Sequence, residues 1–97
     1  MATKPDKLKQ FDLVLVKWND AHNLASAWTA LDDLHELKTD CVIETVGRFL
    51  KIERKQVVFC ADMSVEDDNA VILNTIFSIP LACIEQVEIL RSANGTS

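Results

Sequence analysis

The sequence predicts a small domain that is mainly β, with one short helix and no catalytic centre. Three observations support this prediction. The chain has 97 residues, which is enough for one domain and too few for two. Its hydrophobic residues, 48% of the total, fall into short runs separated by polar turn formers. The chain has only two glycines and none of the common phosphate-binding or hydrolase motifs.

The first strand is predicted over residues 11–18, where apolar side chains occupy both odd and even positions. Such a pattern is typical of a strand that is covered on both faces. The turn formers of residues 19–23 end it. A short helix is then predicted over residues 30–37, because Thr29 and Asp32 have the spacing of a capping box. Trp28 stands just before it, in the position of a hydrophobic staple.

Four further strands follow, at residues 40–53, 57–62, 70–79 and 86–90. Gly47 lies in the middle of the longest one, which is typical of a bulge, a bend or the close approach of another backbone or a ligand. Residues 63–69 form an acidic loop in this interpretation. Pro80 ends the strand at residues 70–79, and a single 3₁₀ turn is predicted at residues 81–84.

The predicted order is therefore β-α-β-β-β-turn-β, which indicates a partly open barrel of the SH3 or Sm-like kind over residues 11–90. Residues 1–10 are expected to be a flexible leader, and residues 91–97 a disordered tail. The leader is Lys-rich and lacks the apolar segment of a signal peptide. Because no apolar run approaches the roughly 20 residues that cross a bilayer, we expect a cytoplasmic protein without membrane contact.

Charge and cysteine content exclude several functions. The net charge of −5 opposes binding to long nucleic acid, whose affinity depends on cationic contacts. Cys41, Cys60 and Cys83 form no CxxC pair and are expected to be three reduced core thiols. With only two histidines as well, the sequence predicts no metal site, no cofactor and no catalytic residues.

The chain also carries a spaced set of short motifs: Trp18-x-Asp20-Ala21, Trp28-Thr29, Cys41-x-x-x-Thr45-Val46-Gly47, Asn74 and Ile79-Pro80-x-x-x-Ile84. Together they resemble small uncharacterised proteins that bacteriophages and prophages encode, over most of residues 14–90. The resemblance implies a compact barrel expressed in the cytoplasm of a bacterial host. It also implies an inhibitor, adaptor or sponge rather than an enzyme, because such roles are common among phage proteins of this size.

Seven residues are candidates for a ligand site: Trp18, Asp20, Trp28, Thr45, Gly47, Arg48 and Asn74. The two tryptophans would stack on a planar ligand, and Asp20 would accept a hydrogen bond from it. Thr45 and Arg48 would supply a donor and a positive charge beside Gly47. We expect this site where the loop of residues 19–28 meets the bend at Gly47. The alternative is that these residues only build a turn and a core.

Asn74 lies mid-strand among apolar residues, so it must be solvated at an edge, satisfied inside, or placed at an interface. The sequence favours a non-enzymatic, oligomeric binding protein that captures a host protein or a small anionic nucleotide-type ligand. A narrower version is a sponge for a nucleotide signal of antiphage defence. The alternatives are an Sm-like nucleic-acid-binding ring and a small hydrolase. We expect a homo-oligomer with residues 11–16 or 70–79 at the interface, because a short chain with apolar strand faces gains by assembling.

Overall fold

The computed structural model describes residues 2–20, 28–36 and 41–93, and these form β-strands joined by short 3₁₀ helices. The strands are β1 (Ala2–Thr3), β2 (Leu13–Asn19), β3 (Val42–Glu53), β4 (Gln56–Val65), β5 (Val71–Pro80) and β6 (Ile84–Arg91). The 3₁₀ helices of the described ranges are Pro5–Lys7, Leu31–Glu36 and Leu81–Cys83. Within these ranges, no helix has the length and apolar character needed to span a membrane.

All described strands belong to one antiparallel sheet, in the order β1-β6-β2-β3-β4-β5. β2 pairs with β3 along one edge and with β6 along the other. β1 and β5 lie at the two ends, and no described pairing joins these ends. The mainly β prediction is therefore confirmed, and the described strands form an open sheet.

Two elements differ from the prediction. The helix expected over residues 30–37 is a 3₁₀ helix, Leu31–Glu36, so the predicted helix type is wrong. β4 continues to Val65, where an acidic loop was expected from residue 63 onward. The extension arises because Met63 and Val65 pair with Leu73 and Val71 of β5, which makes a long hairpin. The predicted 3₁₀ turn after Pro80 is confirmed at Leu81–Cys83.

The hydrophobic core lies on one face of the sheet. Val14 and Val16 of β2 are fully buried there, whereas Leu13 and Leu15 on the opposite face are only half-buried. In a single chain, β2 is thus covered completely on one face only, which differs from the prediction for residues 11–18. The buried residues of the core cluster are Leu8, Val14, Val16, Phe49, Val57, Phe59, Ile79 and Val87.

A β-bulge in β3 adds a residue to this core. The register with β4 shifts between Phe49 and Lys51, and both Phe49 and the intervening Leu50 are buried. Three rings then contact one another in a row. Phe49 meets Phe59 edge-on at 6.3 Å between ring centroids, and Phe59 stacks on Phe77 at 5.5 Å. These offset contacts are favoured by the ring quadrupoles.

Asp12 is a buried carboxylate that joins the two ends of the described chain. Only 2% of its surface is exposed. Its Oδ2 accepts the Lys9 backbone N–H at 2.9 Å, and its Oδ1 accepts the Ala93 backbone N–H at 2.7 Å. Leu8 also reaches the core, and Thr3 pairs with Val87 of β6. Parts of the expected leader and tail therefore contact the body of the domain.

We predict that Asp12→Ala lowers the free energy of unfolding by about 1.5–3 kcal/mol, because two backbone N–H groups lose the buried side chain that accepts their hydrogen bonds. Urea unfolding followed by circular dichroism measures this loss. Asp6→Ala, at an exposed position, is the control and should change stability by no more than about 0.5 kcal/mol. Equal effects of the two substitutions would contradict this role of Asp12.

Candidate interaction site

Trp18 and Thr45, two of the predicted ligand-binding residues, bind each other. Antiparallel pairing of β2 and β3 places Thr45 opposite Val16, two residues from Trp18 along the same face. The Trp18 indole Nε1–H donates to Thr45 Oγ1 at 3.0 Å. The Trp18 ring is half-buried and packs against the core cluster. The indole N–H, which is the one hydrogen-bond donor of the side chain, is therefore bound to another protein residue, and the ring packs at the margin of the core.

Gly47 is a point of close approach between β3 and the β4–β5 hairpin. A Cβ atom at this position would lie 3.0 Å from Phe77 Cζ and 3.2 Å from the Cys60 carbonyl oxygen. Both distances are shorter than ordinary van der Waals contacts. The sequence left three explanations open for Gly47: a bulge, a bend, or the close approach of another backbone or a ligand. The structure shows a close approach, and the approaching atoms belong to the protein.

Arg48 and Asp20 also contact the backbone. The Arg48 guanidinium Nη1 donates to the Phe11 carbonyl oxygen at 3.2 Å. The Asp20 backbone N–H donates to the Cys41 carbonyl oxygen at 2.8 Å, which continues the β2–β3 ladder by one step. Residues 21–27 of the predicted binding loop lie outside the described residues.

Trp28 and Asn74 differ from Trp18 and Thr45: both are exposed, and neither lies on β2 or β3. Trp28 is 105% exposed, and Leu31 and Leu34 after it are also exposed. Because side chains three residues apart align along a 3₁₀ helix, the two leucines share one side of Leu31–Glu36. Asn74 is exposed on β5, opposite Asp62 of β4. Of the two tryptophans predicted for the ligand site, Trp28 is fully exposed and Trp18 is half-buried.

The half of the β4–β5 hairpin beyond Cys60, residues 61–76, forms an arm that leaves the core. At the base of the hairpin, Val57, Phe59 and Ile79 are fully buried. Beyond it no residue is fully buried, although several apolar side chains continue along both strands. Four exposed aliphatic side chains lie on the arm: Val65, Val71, Ile72 and Ile76. A cluster of exposed apolar residues on one hairpin is typical of a contact surface for another protein.

A groove of about 470 Å³ runs between the arm and the bulge of β3. Phe11, Leu50, Val58, Val71, Leu73 and Ile76 supply its apolar lining. Gln10 and Lys51 supply polar groups to the same groove. This combination of apolar walls with few polar groups is typical of a binding cleft.

β5 is the outermost strand of the sheet at the arm side. Its residues, Val71–Pro80, include no charged side chain. The edge strands of natural sheets are usually protected by charges, proline or bulges. Here Pro80 stands at the end of the strand, and Thr75 has a φ of 57°, which interrupts the extended backbone at one point. The segments on either side of Thr75 carry no such protection.

Opposite charges lie at the two ends of β5. The turn that precedes it holds Glu66, Asp67 and Asp68, all exposed. The turn between β3 and β4 holds Arg54 and Lys55, also exposed, and the Lys55 carbonyl oxygen accepts the Leu81 backbone N–H at 2.8 Å. One end of β5 is thus acidic and the other is basic.

The three thiols differ in burial. Cys60 is fully buried and Cys83 is half-buried, but Cys41 is exposed, so the prediction of three core thiols is wrong for Cys41. Burial raises the pKa of the Cys60 thiol, and the positive charge of Arg48 offsets part of that rise. A raised pKa disfavours the nucleophilic thiolate. Among the described residues, no three His, Cys, Asp or Glu side chains are grouped to hold a metal ion.

Comparison of the chain with protein-family models, curated proteins and solved structures gave no match. The arm is the part of the site that sequence reasoning missed. A signal for it was present: apolar residues alternate with polar ones through residues 61–65, and residues 70–80 contain no charge.

We predict that Gly47→Ala lowers the free energy of unfolding by about 1–3 kcal/mol, because the added methyl group crowds the Phe77 ring and the Cys60 carbonyl. Thermal and urea unfolding measure the change. In a Phe77→Leu background, which lacks the Cζ atom, the same substitution should cost less. An equal cost in both backgrounds would show that crowding against Phe77 is not the cause.

Thiol labelling of the native protein should distinguish the cysteines. Cys41 should react rapidly with an aromatic disulfide reagent, because its thiol is exposed. Cys60 should stay unlabelled, because it is buried and its pKa is raised. Mass spectrometry of digested protein identifies the labelled residue. Rapid labelling of Cys60 in folded Cys41→Ser protein would contradict this assignment.

Proposed function

We propose that this protein is a non-enzymatic binding protein that captures a partner protein through its β4–β5 arm. The observation that carries the proposal is the concentration of exposed aliphatic residues on the arm, where Val65 and Ile76 are each 60% exposed. Such residues gain by being covered, since burying apolar surface contributes about 25 cal/mol per Å². The adjoining groove gives the surface a concave part, which a partner side chain would fill.

A protein partner fits this surface better than a small polar ligand does. The side chains that would have recognised a nucleotide are engaged elsewhere: Trp18 donates to Thr45, and Arg48 donates to Phe11. The arm presents aliphatic side chains, whose contacts are with other apolar groups. We further propose, in line with the motifs of residues 14–90, that the protein is of phage type and acts in the cytoplasm of a bacterial host.

An SH3 or Sm-like relationship belongs to the same proposal. The antiparallel sheet, the bulge at Phe49–Lys51 and the 3₁₀ turn before β6 support it. A nucleic-acid-binding ring is the weaker version, because the net charge of −5 opposes contacts with phosphates.

Nucleotide capture is a second candidate, and one observation favours it: the fully exposed ring of Trp28. An exposed indole stacks on a base irrespective of the base sequence. Titration with nucleotides and cyclic oligonucleotides, followed by tryptophan fluorescence, tests this candidate. Quenching that is lost in Trp28→Ala, but not in Trp18→Phe, would favour a stacked ligand.

The proposed function predicts that Val65→Lys reduces partner capture by at least about tenfold, which corresponds to about 1.4 kcal/mol. Tagged full-length protein is incubated with bacterial host extract, and retained proteins are quantified by mass spectrometry. Val42→Lys is the matched control, because Val42 is exposed on β3 outside the arm. A partner retained equally by wild type, Val65→Lys and Val42→Lys would overturn the assignment to the arm.

A further inference from the structure

We propose that β5 pairs along its outer edge with β5 of a second copy of this chain, in an antiparallel arrangement with twofold symmetry. The inference rests on the proposed function, since it names a partner for the arm. In this arrangement two open sheets join into one continuous sheet across the dimer. The exposed side chains of Val71, Ile72 and Ile76 then acquire cross-strand neighbours from the other copy.

The backbone of β5 has an edge that is free to pair with such a partner. β5 pairs with β4 along one edge, from Val71 to Pro80, and it is the last strand in the sheet order. Its outer edge therefore presents a row of N–H and C=O groups that another strand can pair with. The absence of charge in Val71–Pro80 removes the usual barrier to pairing between two identical strands, because no like charges would face each other.

β2, the other interface candidate, and β6 do not offer this edge. β2 pairs with β3 and β6, so both of its edges are occupied. β6 pairs with β2 on one side and with β1 at Val87 and Glu88 on the other. β6 also carries Glu85, Glu88 and Arg91, and charges on an edge strand oppose pairing with another chain. β1, at the other end of the described sheet, is also uncharged but has only two residues, so β5 is the long uncharged edge.

The irregularity at Thr75 indicates the register. With its φ of 57°, Thr75 separates two extended segments, residues 71–74 and residues 76–79. If Thr75 lies on the twofold axis, residues 71–74 of one copy face residues 76–79 of the other. Both segments have the same length, so each pairs over its whole extent. The irregular residue then falls at the axis, where it interrupts neither segment.

The charges at the ends of β5 are complementary in this register. The acidic turn of one copy, with Asp67 and Asp68, comes beside the basic turn of the other copy, with Arg54 and Lys55. The twofold axis repeats this contact, so the dimer contains it twice. Although two copies of a chain with a net charge of −5 repel each other overall, this local pairing offsets the repulsion and selects the antiparallel orientation.

The first test is the mass of the full-length protein by light scattering at high micromolar concentration. We expect a dimer, twice the chain mass of 10.9 kDa. Ile72→Lys places a charge on the edge strand and should weaken the dimer by at least about tenfold. Ile89→Lys is the matched control, because Ile89 is exposed on β6, and it should remain dimeric. A wild-type monomer, a larger ring, or a dimer unaffected by Ile72→Lys would overturn the proposal.

A charge exchange provides an independent test with substitutions in exposed turns. Asp67→Lys and Lys55→Glu should each weaken their own homodimer, because each puts like charges together at both contacts. A mixture of the two variants should form a heterodimer, in which one contact is restored with reversed signs and the other is as in wild type. Sedimentation of each variant and of the mixture measures this recovery. If the two variants are folded but form no heterodimer on mixing, the contact between the acidic turn and the basic turn would be contradicted.

The register is tested by Thr75→Cys in a Cys41→Ser background, with Cys60 and Cys83 left in place. Thr75→Cys should form an intermolecular disulfide under mild oxidation, whereas Ile72→Cys should not, because position 72 faces a different residue of the other copy. The reverse result would overturn the register.

The proposed function can be tested separately from the dimer. If Ile72→Lys is monomeric and still captures a host protein, the proposed function and the proposed dimer both stand. If wild type is monomeric and Val65→Lys loses capture, only the dimer fails.

Discussion

The packing of the β4–β5 hairpin against β3 depends on the absence of a side chain at position 47. At Gly47 the Phe77 ring and the Cys60 carbonyl come closer than most contacts of a real Cβ atom. That approach lets Phe77 stack on Phe59, and Phe59 in turn meets Phe49 of the β3 bulge. The aromatic row thus connects three neighbouring strands, and its position follows from one glycine.

The same contact determines where the core ends. Val57, Phe59 and Ile79 lie at the base of the hairpin and are buried, but the hairpin is longer than the core that covers it. Pairing between β4 and β5 continues to Val65 and Val71, and no other described element forms a second layer over it. The arm is therefore held by backbone hydrogen bonds, while its apolar side chains remain available. This division between a covered base and an uncovered arm is the structural basis of the proposed binding function.

Two internal hydrogen bonds change the interpretation of residues that resemble a ligand site. The hydrogen bond from Trp18 to Thr45 links the side chains of two neighbouring strands, β2 and β3. The Arg48–Phe11 bond holds a guanidinium against the backbone beside the buried Asp12. A polar residue near a bend is equally suited to binding a ligand and to forming a hydrogen bond with a neighbouring segment of the protein. The partners it has in three dimensions decide between the two.

The sequence by itself determined the β class, most strand positions and the 3₁₀ turn after Pro80, because alternation, turn chemistry and proline geometry act over a few residues. It also indicated that Gly47 needed space, although it did not say for which atoms. Only the tertiary structure decided that β2 is central and β5 is at the edge, that Cys41 is exposed, and that Asp12 binds Ala93, 81 residues away. The strand period of two residues identifies the face of each side chain but not its neighbouring strand. Those neighbours are selected by packing between residues that are distant in the chain.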